Sequence, residues 1–219
     1  MKVAISFSGG KDSTLALDRA VQEGHEPVAL FVMINEPLGR SWFHGIDPGL
    51  LQALSASLQL PLILCPCRGE DYHTALEQGL LQARAMGAQG CVFGDMDILE
   101  HAAWSRARCS HTGLQALFPL WGRTRRENAF ALLERGYRCV IKCVKNGVLP
   151  QSLLGQVLNR DLLLEMERQG VDLCGENGEY HTLVVDGPLF SFPIPYERGK
   201  ILNFGTISAI DLYGPAPKG

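Results

Sequence analysis

The chain has 219 residues, 46% of them hydrophobic and 20% charged, with a formal net charge of −3 and a pI near 6.1. That composition is ordinary for a folded soluble protein with one large core or two smaller ones, and it excludes a global field that would draw the chain to nucleic acid or to an anionic membrane. Arg123, Arg125 and Arg126 leave room only for a local basic patch. No apolar run is long enough to span a bilayer, and Met1-Lys2 runs straight into a strand with no signal peptide. With seven cysteines in no framework spacing, the expectation is reduced thiols and a cytoplasmic location.

In chain order, Lys2 to Phe7 is short, apolar and β-branched, as a buried parallel strand is. Ser8-Gly9-Gly10-Lys11-Asp12-Ser13 follows, and then a helix with Leu17 and Val21 on one face. In a strand, turn, helix context Gly9 and Gly10 let successive amides turn towards a phosphate at the positive end of the helix. Lys11 and Ser13 add charge and a donor, and Asp12 is a candidate ligand for magnesium. The plain alternative is a turn in which Asp12 or Ser13 caps the helix. The string resembles the pyrophosphate loop of ATP pyrophosphatases, which cleave ATP between its α and β phosphates. It does not fit the other phosphate loop, whose Gly-x-x-x-x-Gly-Lys spacing is absent.

Glu26 to Ile34 is a second buried strand, and the loop from Asn35 to Gly45 leaves its carboxyl end, where ligands bind in open parallel sheets. Arg40 and His44 have a loop side chain in water as their plain alternative, and this location favours them, with Asn35, as candidate nucleotide contacts. A helix is expected over Asp47 to Leu60, a third strand over Leu60 to Cys65, and a helix over Asp71 to Met86. Cys65-Pro66-Cys67 has no second pair near it and reads as buried thiols. Strand four, Gly90 to Asp97, ends in two carboxylates. The two are spaced to share a magnesium, with a helix cap as the alternative for Asp97; Asp95, with Gly94 beside it, is assigned to function and Asp97 to capping the helix from Leu99 to Ser110. Leu114 to Trp121 is strand five. The rhythm predicts an α/β fold with a doubly wound parallel five-stranded sheet, its site at the edge carrying the loops after strands one, two and four.

Beyond Gly122 the pattern changes, and a smaller α/β domain is expected over residues 122–219 beside a nucleotide domain over 1–121. It comprises a helix over Arg125 to Arg135, a strand over Tyr137 to Val144 with Cys139 and Cys143 on one face, short helices over Leu153 to Gln169, a strand at Leu183 to Val185, and one last strand over Lys200 to Leu212. The tail after Gly214 is expected to fray. Cys174-Gly175-Glu176-Asn177-Gly178-Glu179-Tyr180-His181-Thr182 is a polar loop suited to an amine or ammonia, with a solvated turn as the plain alternative.

Taken together, the loop at Ser8 to Ser13, Arg40-Ser41, His44-Gly45, Phe93-Gly94-Asp95, Phe118 to Trp121, Gly175 to Thr182 and Asp186 to Phe190 resemble the diphthine-ammonia ligase family and its bacterial relatives. Gly175-Glu176-Asn177-Gly178-Glu179 stands where archaeal and eukaryotic members tend to carry Gly-Glu-Gly-Gly-Glu, and the Phe-Gly-Asp and His-Gly forms resemble the bacterial branch, where diphthine is not the expected substrate. The resemblance implies a PP-loop fold (the HUP type, Rossmann-like) and an AMP-forming ligase that uses ATP and Mg2+. Such an enzyme adenylates a small-molecule or protein-borne carboxylate and amidates it with ammonia or an amine. Ser8, Gly9, Gly10, Lys11 and Ser13 would hold the phosphates, Asn35, Arg40, His44, Gly94 and Asp95 the rest of the nucleotide, and Asp12 and Asp95 the metal. Lys11, Asp12, Ser13, Glu176, Glu179 and His181 would serve the chemistry. Membrane and nucleic-acid partners are not expected, and a homodimer is left open. The competing readings are an RNA-thiolating enzyme of the same loop class, which the acidic chain disfavours, and a nucleotide sensor without turnover.

Overall fold

A computed structural model describes residues 1–214. In its first half β1 (Lys2–Ser6), α1 (Lys11–Gln22), β2 (Glu26–Asn35), β3 (Arg40–Ser41), α2 (Pro48–Leu58), β4 (Leu62–Cys67), α3 (Tyr72–Ala85), β5 (Gly90–Val92), α4 (Leu99–Thr112) and β6 (Gln115–Leu117) follow one another. The strands β4, β2, β1, β5 and β6 lie side by side and are all parallel, which is the expected five-stranded sheet. Helices cover both faces. Val3 and Ile5 of β1 pack with Leu17 of α1 and Leu50 and Leu54 of α2, whereas Ala4 points the other way, to Leu76 and Leu80 of α3 and Cys109 of α4. This alternation is why the strands read as unbroken apolar runs. The two-residue β3 pairs antiparallel with the end of β2, and two residues carry no period for a sequence pattern to show.

Several local expectations are corrected. Strand three begins at Leu62 and includes Cys65 and Cys67, both buried. Strand four stops at Val92, leaving residues 93–98 as loop. Strand five stops at Leu117 because Pro119 has no N–H for a ladder, and Phe118 to Trp121 form a turn closed by the Trp121 N–H on the Phe118 carbonyl. Asp97 caps nothing. The N-cap position of α4 falls on Ile98 without a side-chain bond, and Asp97 accepts two bonds from the Arg125 guanidinium, at 2.7 and 2.9 Å. A charged fork outweighs a single backbone donor.

The second half holds α5 (Arg125–Glu134), β7 (Arg138–Lys145), α6 (Arg160–Arg168), β8 (Tyr180–Asp186), β9 (Glu197–Asn203) and β10 (Ile207–Tyr213). Its sheet is antiparallel, in the order β8, β7, β10, β9. The single strand expected over Lys200 to Leu212 is a hairpin. Gly205 takes φ +82° at the turn, and its N–H is held by the Asn203 side chain at 2.8 Å. Cys139 and Cys143 do not share a face. The register of β7 on β8 slips between Ile141 and Cys143, so Lys142 is the extra residue of a β-bulge and the alternation reverses across it.

The two sheets share one apolar cluster that runs from Ile5 and Leu17 through Leu54 to Ile141, Leu163 and Leu183. The free edge of β8 lies on the loop before α1: the Val184 N–H donates to the Gly9 carbonyl at 2.9 Å, and the Lys11 N–H to Thr182 Oγ1 at 3.1 Å. Among the described residues no helix is long and apolar enough to cross a membrane. The expectation for the tail after Gly214 falls outside the described residues.

Candidate active site

The loop between β1 and α1 is shaped by its own hydroxyls. Ser13 Oγ accepts from the Ser8 N–H at 3.2 Å and lies 3.2 Å from the Gly10 carbonyl, while Ser8 Oγ accepts from the Gly10 N–H at 3.3 Å. Gly9 has φ +75°, and a Cβ there would come within 2.5 Å of Ile46 Cδ1. At Gly10 a Cβ would run into the His44 ring. Gly10 is the N-cap of α1 and makes no side-chain cap, so neither Asp12 nor Ser13 is spent on capping.

Above this loop lies a cleft of about 350 Å³. Ser8, Lys11, Asp12 and Ser13 form its floor, Phe93, Gly94 and Asp95 one wall, and His44, Gly175, Glu176 and His181 the other. Gly94 approaches so closely that a Cβ would stand 3.2 Å from the backbone of Asp12 and Ser13. The Lys11 ammonium is buried, donates to Asp12 Oδ2 at 2.7 Å and to the Cys174 carbonyl, and lies 5.1 Å from the Tyr180 ring centre. Burial alone would lower its pKa, but Asp12 beside it, together with Tyr180 and Cys174, more than offsets that and keeps it charged. Burial raises the carboxyl of Asp12 against the pull of Lys11, and burial likewise raises Asp95, whose Oδ2 accepts from Ser105 at 3.2 Å.

The polar loop is built on Asp172. Its two oxygens accept from the Cys174 and Glu176 amides at 3.0 and 2.9 Å, and Arg125 grips it from α5. Glu176 is thereby turned into the cleft, where burial and the neighbouring Asp12 push its carboxyl up to about 7. Glu179 does not line the cleft. It is buried and accepts from the amide and side chain of Asn177 at 3.0 and 3.1 Å, which braces the turn at Gly178. The His44 and His181 rings pack at a tilt of 54° with their centres 4.7 Å apart. Burial, with the two rings close together, lowers His44 to about 3, and burial together with Lys11 lowers His181 to about 4. Both are neutral at pH 7. The Thr182 carbonyl, 2.9 Å from His44 Nδ1, is an acceptor only, so Nδ1 carries the proton and Nε2 presents a lone pair.

Two expected contacts lie elsewhere. Asn35 accepts from the Leu38 amide at 3.2 Å within a 3-10 turn, and Arg40 pairs with Asp211 at 2.8 Å. Of the basic trio, Arg125 is held by Asp97 and Asp172 and Arg126 by Glu167. Sequence reasoning missed Asp172 and a small recess of about 60 Å³ beside the cleft, between the ends of β1 and β2 and the side chains of Trp42, Phe43 and Tyr72. The aromatic pair directly after Ser41 was its one sequence signal. All seven cysteines are free and buried, which suits packing better than sulfur transfer. Among the described residues no three His, Cys, Asp or Glu side chains converge as a metal cage. Asp12 and Asp95 on one cleft fit magnesium all the same, because that ion takes one or two carboxylates and completes its shell with phosphates and water.

Two family models match the chain, the diphthamide synthase N-terminal domain over residues 1–116 and the diphthamide synthase C-terminal domain over residues 126–211. The chain belongs to the diphthamide synthase family. Both loops that face the cleft fall inside the matched ranges, one in each. Among characterised relatives of the family, the diphthine–ammonia ligase of Rattus norvegicus is 26% identical, covering 98% of this chain and 88% of its own length. That of Homo sapiens is 25% identical with the same coverage. The chain spans only 35% of the ligase of Schizosaccharomyces pombe, at 26% identity. A solved structure described as a "predicted subunit of tRNA methyltransferase" from Methanocaldococcus jannaschii is 16% identical with a TM-score of 0.45, over 85% of this chain and 98% of that one.

Proposed function

We propose that this protein is an ATP-dependent, AMP-forming ligase that joins ammonia or an amine to a substrate carboxylate; the ligation to ammonia is supported by the relatives named diphthine–ammonia ligases. One observation carries the reading: a single cleft is faced by the Ser8 to Ser13 loop, by Asp95, and by Glu176 and His181 from the far end of the chain. A carboxylate oxygen attacks the α phosphorus of ATP and the bond to the β phosphate breaks. Pyrophosphate then leaves over Gly9 and Gly10, its charge met by Lys11 and the Ser13 hydroxyl. Asp12 and Asp95 would hold a magnesium ion, which would supply further positive charge against the phosphates. The amine attacks the acyl carbon, AMP departs, and Glu176 takes the surplus proton. A carboxyl with a pKa near 7 is suited to that transfer at neutral pH. The recess at Trp42, Phe43 and Tyr72 offers flat apolar surface for adenine.

The test is product analysis with ATP, magnesium, ammonia and a panel of carboxylic acids. Pyrophosphate release that depends on the acid, with AMP and continued turnover that depend on ammonia as well, is the expected result. ADP and phosphate would sink the reading.

A further inference from the structure

A second cavity, of about 340 Å³, lies behind the wall made by His44 and His181. It is enclosed by the turn around Phe43 on one side and by the β9 to β10 hairpin on the other, which presents Leu202, Phe204 and Ile207. Phe43 and Phe204 are 62% and 66% exposed, so its mouth is open and apolar. Its base is different. Lys142 and Cys143 both line it, which strict alternation along a strand forbids and the bulge in β7 allows. Lys142 is only 4% exposed. Among the described residues it makes no salt bridge, and its one hydrogen bond is a long one, 3.5 Å, to the Ile210 carbonyl. The Asp211 carboxylate on the same wall is taken by Arg40. A buried ammonium without a counter-ion is costly: burial pulls the pKa of Lys142 below its usual value, and Asp211, whose charge favours the ammonium, is already engaged by Arg40 among the described residues.

We propose that this cavity is the acceptor-substrate site, and that its ligand is a small carboxylic acid with an apolar body, the carboxylate paired with Lys142 and the body lying against Phe43, Leu202, Phe204 and Ile207. An anion at the base supplies the missing charge, and a volume of this order suits a small ligand rather than a protein segment. Phe43, His44 and His181 line this cavity and the nucleotide cleft alike. A carboxylate at Lys142 therefore stands at the seam between the two, beside imidazoles that are neutral and place no competing cation there. The fate of that carboxylate rests on the ligase reading; its binding does not.

Calorimetry on the full chain without ATP tests the site, with octanoate, octanamide and acetate as probes. Octanoate is expected to bind at least roughly tenfold more tightly than octanamide, the order of one charge-assisted contact, and more tightly than acetate. Lys142→Met should remove the preference for octanoate over octanamide while leaving the melting temperature unchanged or higher, since an apolar side chain replaces a buried charge. Phe204→Ser, at an exposed position that folding does not need, should weaken octanoate and octanamide together. Equal binding of octanoate and octanamide, or octanoate binding untouched by Lys142→Met, overturns the proposal. A dimer that Phe204→Ser dissociates, with no octanoate binding, would give this face to a second copy of the chain and overturn it also. If octanoate binds as expected but no acid elicits pyrophosphate, the ligase reading fails and the pocket stands.

Discussion

Glu176 and the histidine pair are neighbours shifted in opposite senses by the same burial. As the proton acceptor, Glu176 must be ionised, so the rate of amide formation should rise through pH 7 and level off above it. Glu176→Gln should lower kcat by about 10²- to 10⁴-fold and erase that limb, and a surviving limb would assign the titration elsewhere. Lys11→Ala should cost more than phosphate affinity, because the same ammonium holds the Cys174 carbonyl and screens Asp12. Pyrophosphate release should be lost and the melting temperature should also fall, whereas Ser13→Ala, which removes the bonds to the Ser8 amide and Gly10 carbonyl, should reduce turnover with a smaller fall in melting. The chemistry-bearing residue types were legible in the sequence because glycine, lysine and carboxylate side by side have few other uses. The place of Glu179 was not legible, for a physical reason. Its spacing from Glu176 gives no sign that it bonds Asn177 two residues before it and not the cleft.

At the scale of elements, α1 aims the phosphate loop, and Asp18 ties it to the second half of the chain. Asp18, 1% exposed, accepts two bonds from Arg135 at 2.9 and 3.0 Å and one from the Tyr137 hydroxyl at 2.9 Å. Asp18→Ala leaves that hydroxyl and guanidinium without their partner and should cost about 2–4 kcal/mol in denaturant unfolding, a value reduced by the partial exposure of Arg135. Thr124→Ala removes the capping box at the start of α5 and should cost about 1 kcal/mol. Elements with a long period were legible: all five parallel strands and the helices α1 to α5 follow from apolar spacing and glycine stops. Features set by partners distant in sequence were not. Asp97 is claimed by Arg125, the bulge at Lys142 comes from pairing with β8, and the hairpin in β9 and β10 turns on Gly205, which sat inside a stretch rich enough in β-branched residues to read as one strand.

For the molecule as a whole, the histidine pair sets a pH response of stability. Their folded pKa values lie below the ordinary value of 6.5, so between about pH 6.5 and 4 the unfolded chain binds protons that the folded chain refuses. Stability from this pair is complete above pH 6.5 and is lost as the pH falls. Glu176 acts in the other sense, favouring the folded state below its ordinary value of 4.5 and ceasing to do so as the pH rises towards 7. The double variant His44→Asn, His181→Gln should therefore show a flatter decline in unfolding free energy between pH 6.5 and 4 than the parent protein. Parallel curves would refute the assignment.

The edge of β8 that lies on the phosphate loop has a consequence in time as well as in space. The bond from the Lys11 amide to Thr182 closes a sequence separation of 171 residues, and contacts of that span form late because a long chain must be ordered first. The parallel sheet around β1 has its local partners early, but its loop takes its final shape only when the last third of the chain has docked. During synthesis the nascent first half should hold its strands and yet fail to grip nucleotide, so that nucleotide binding marks the end of folding and not its beginning.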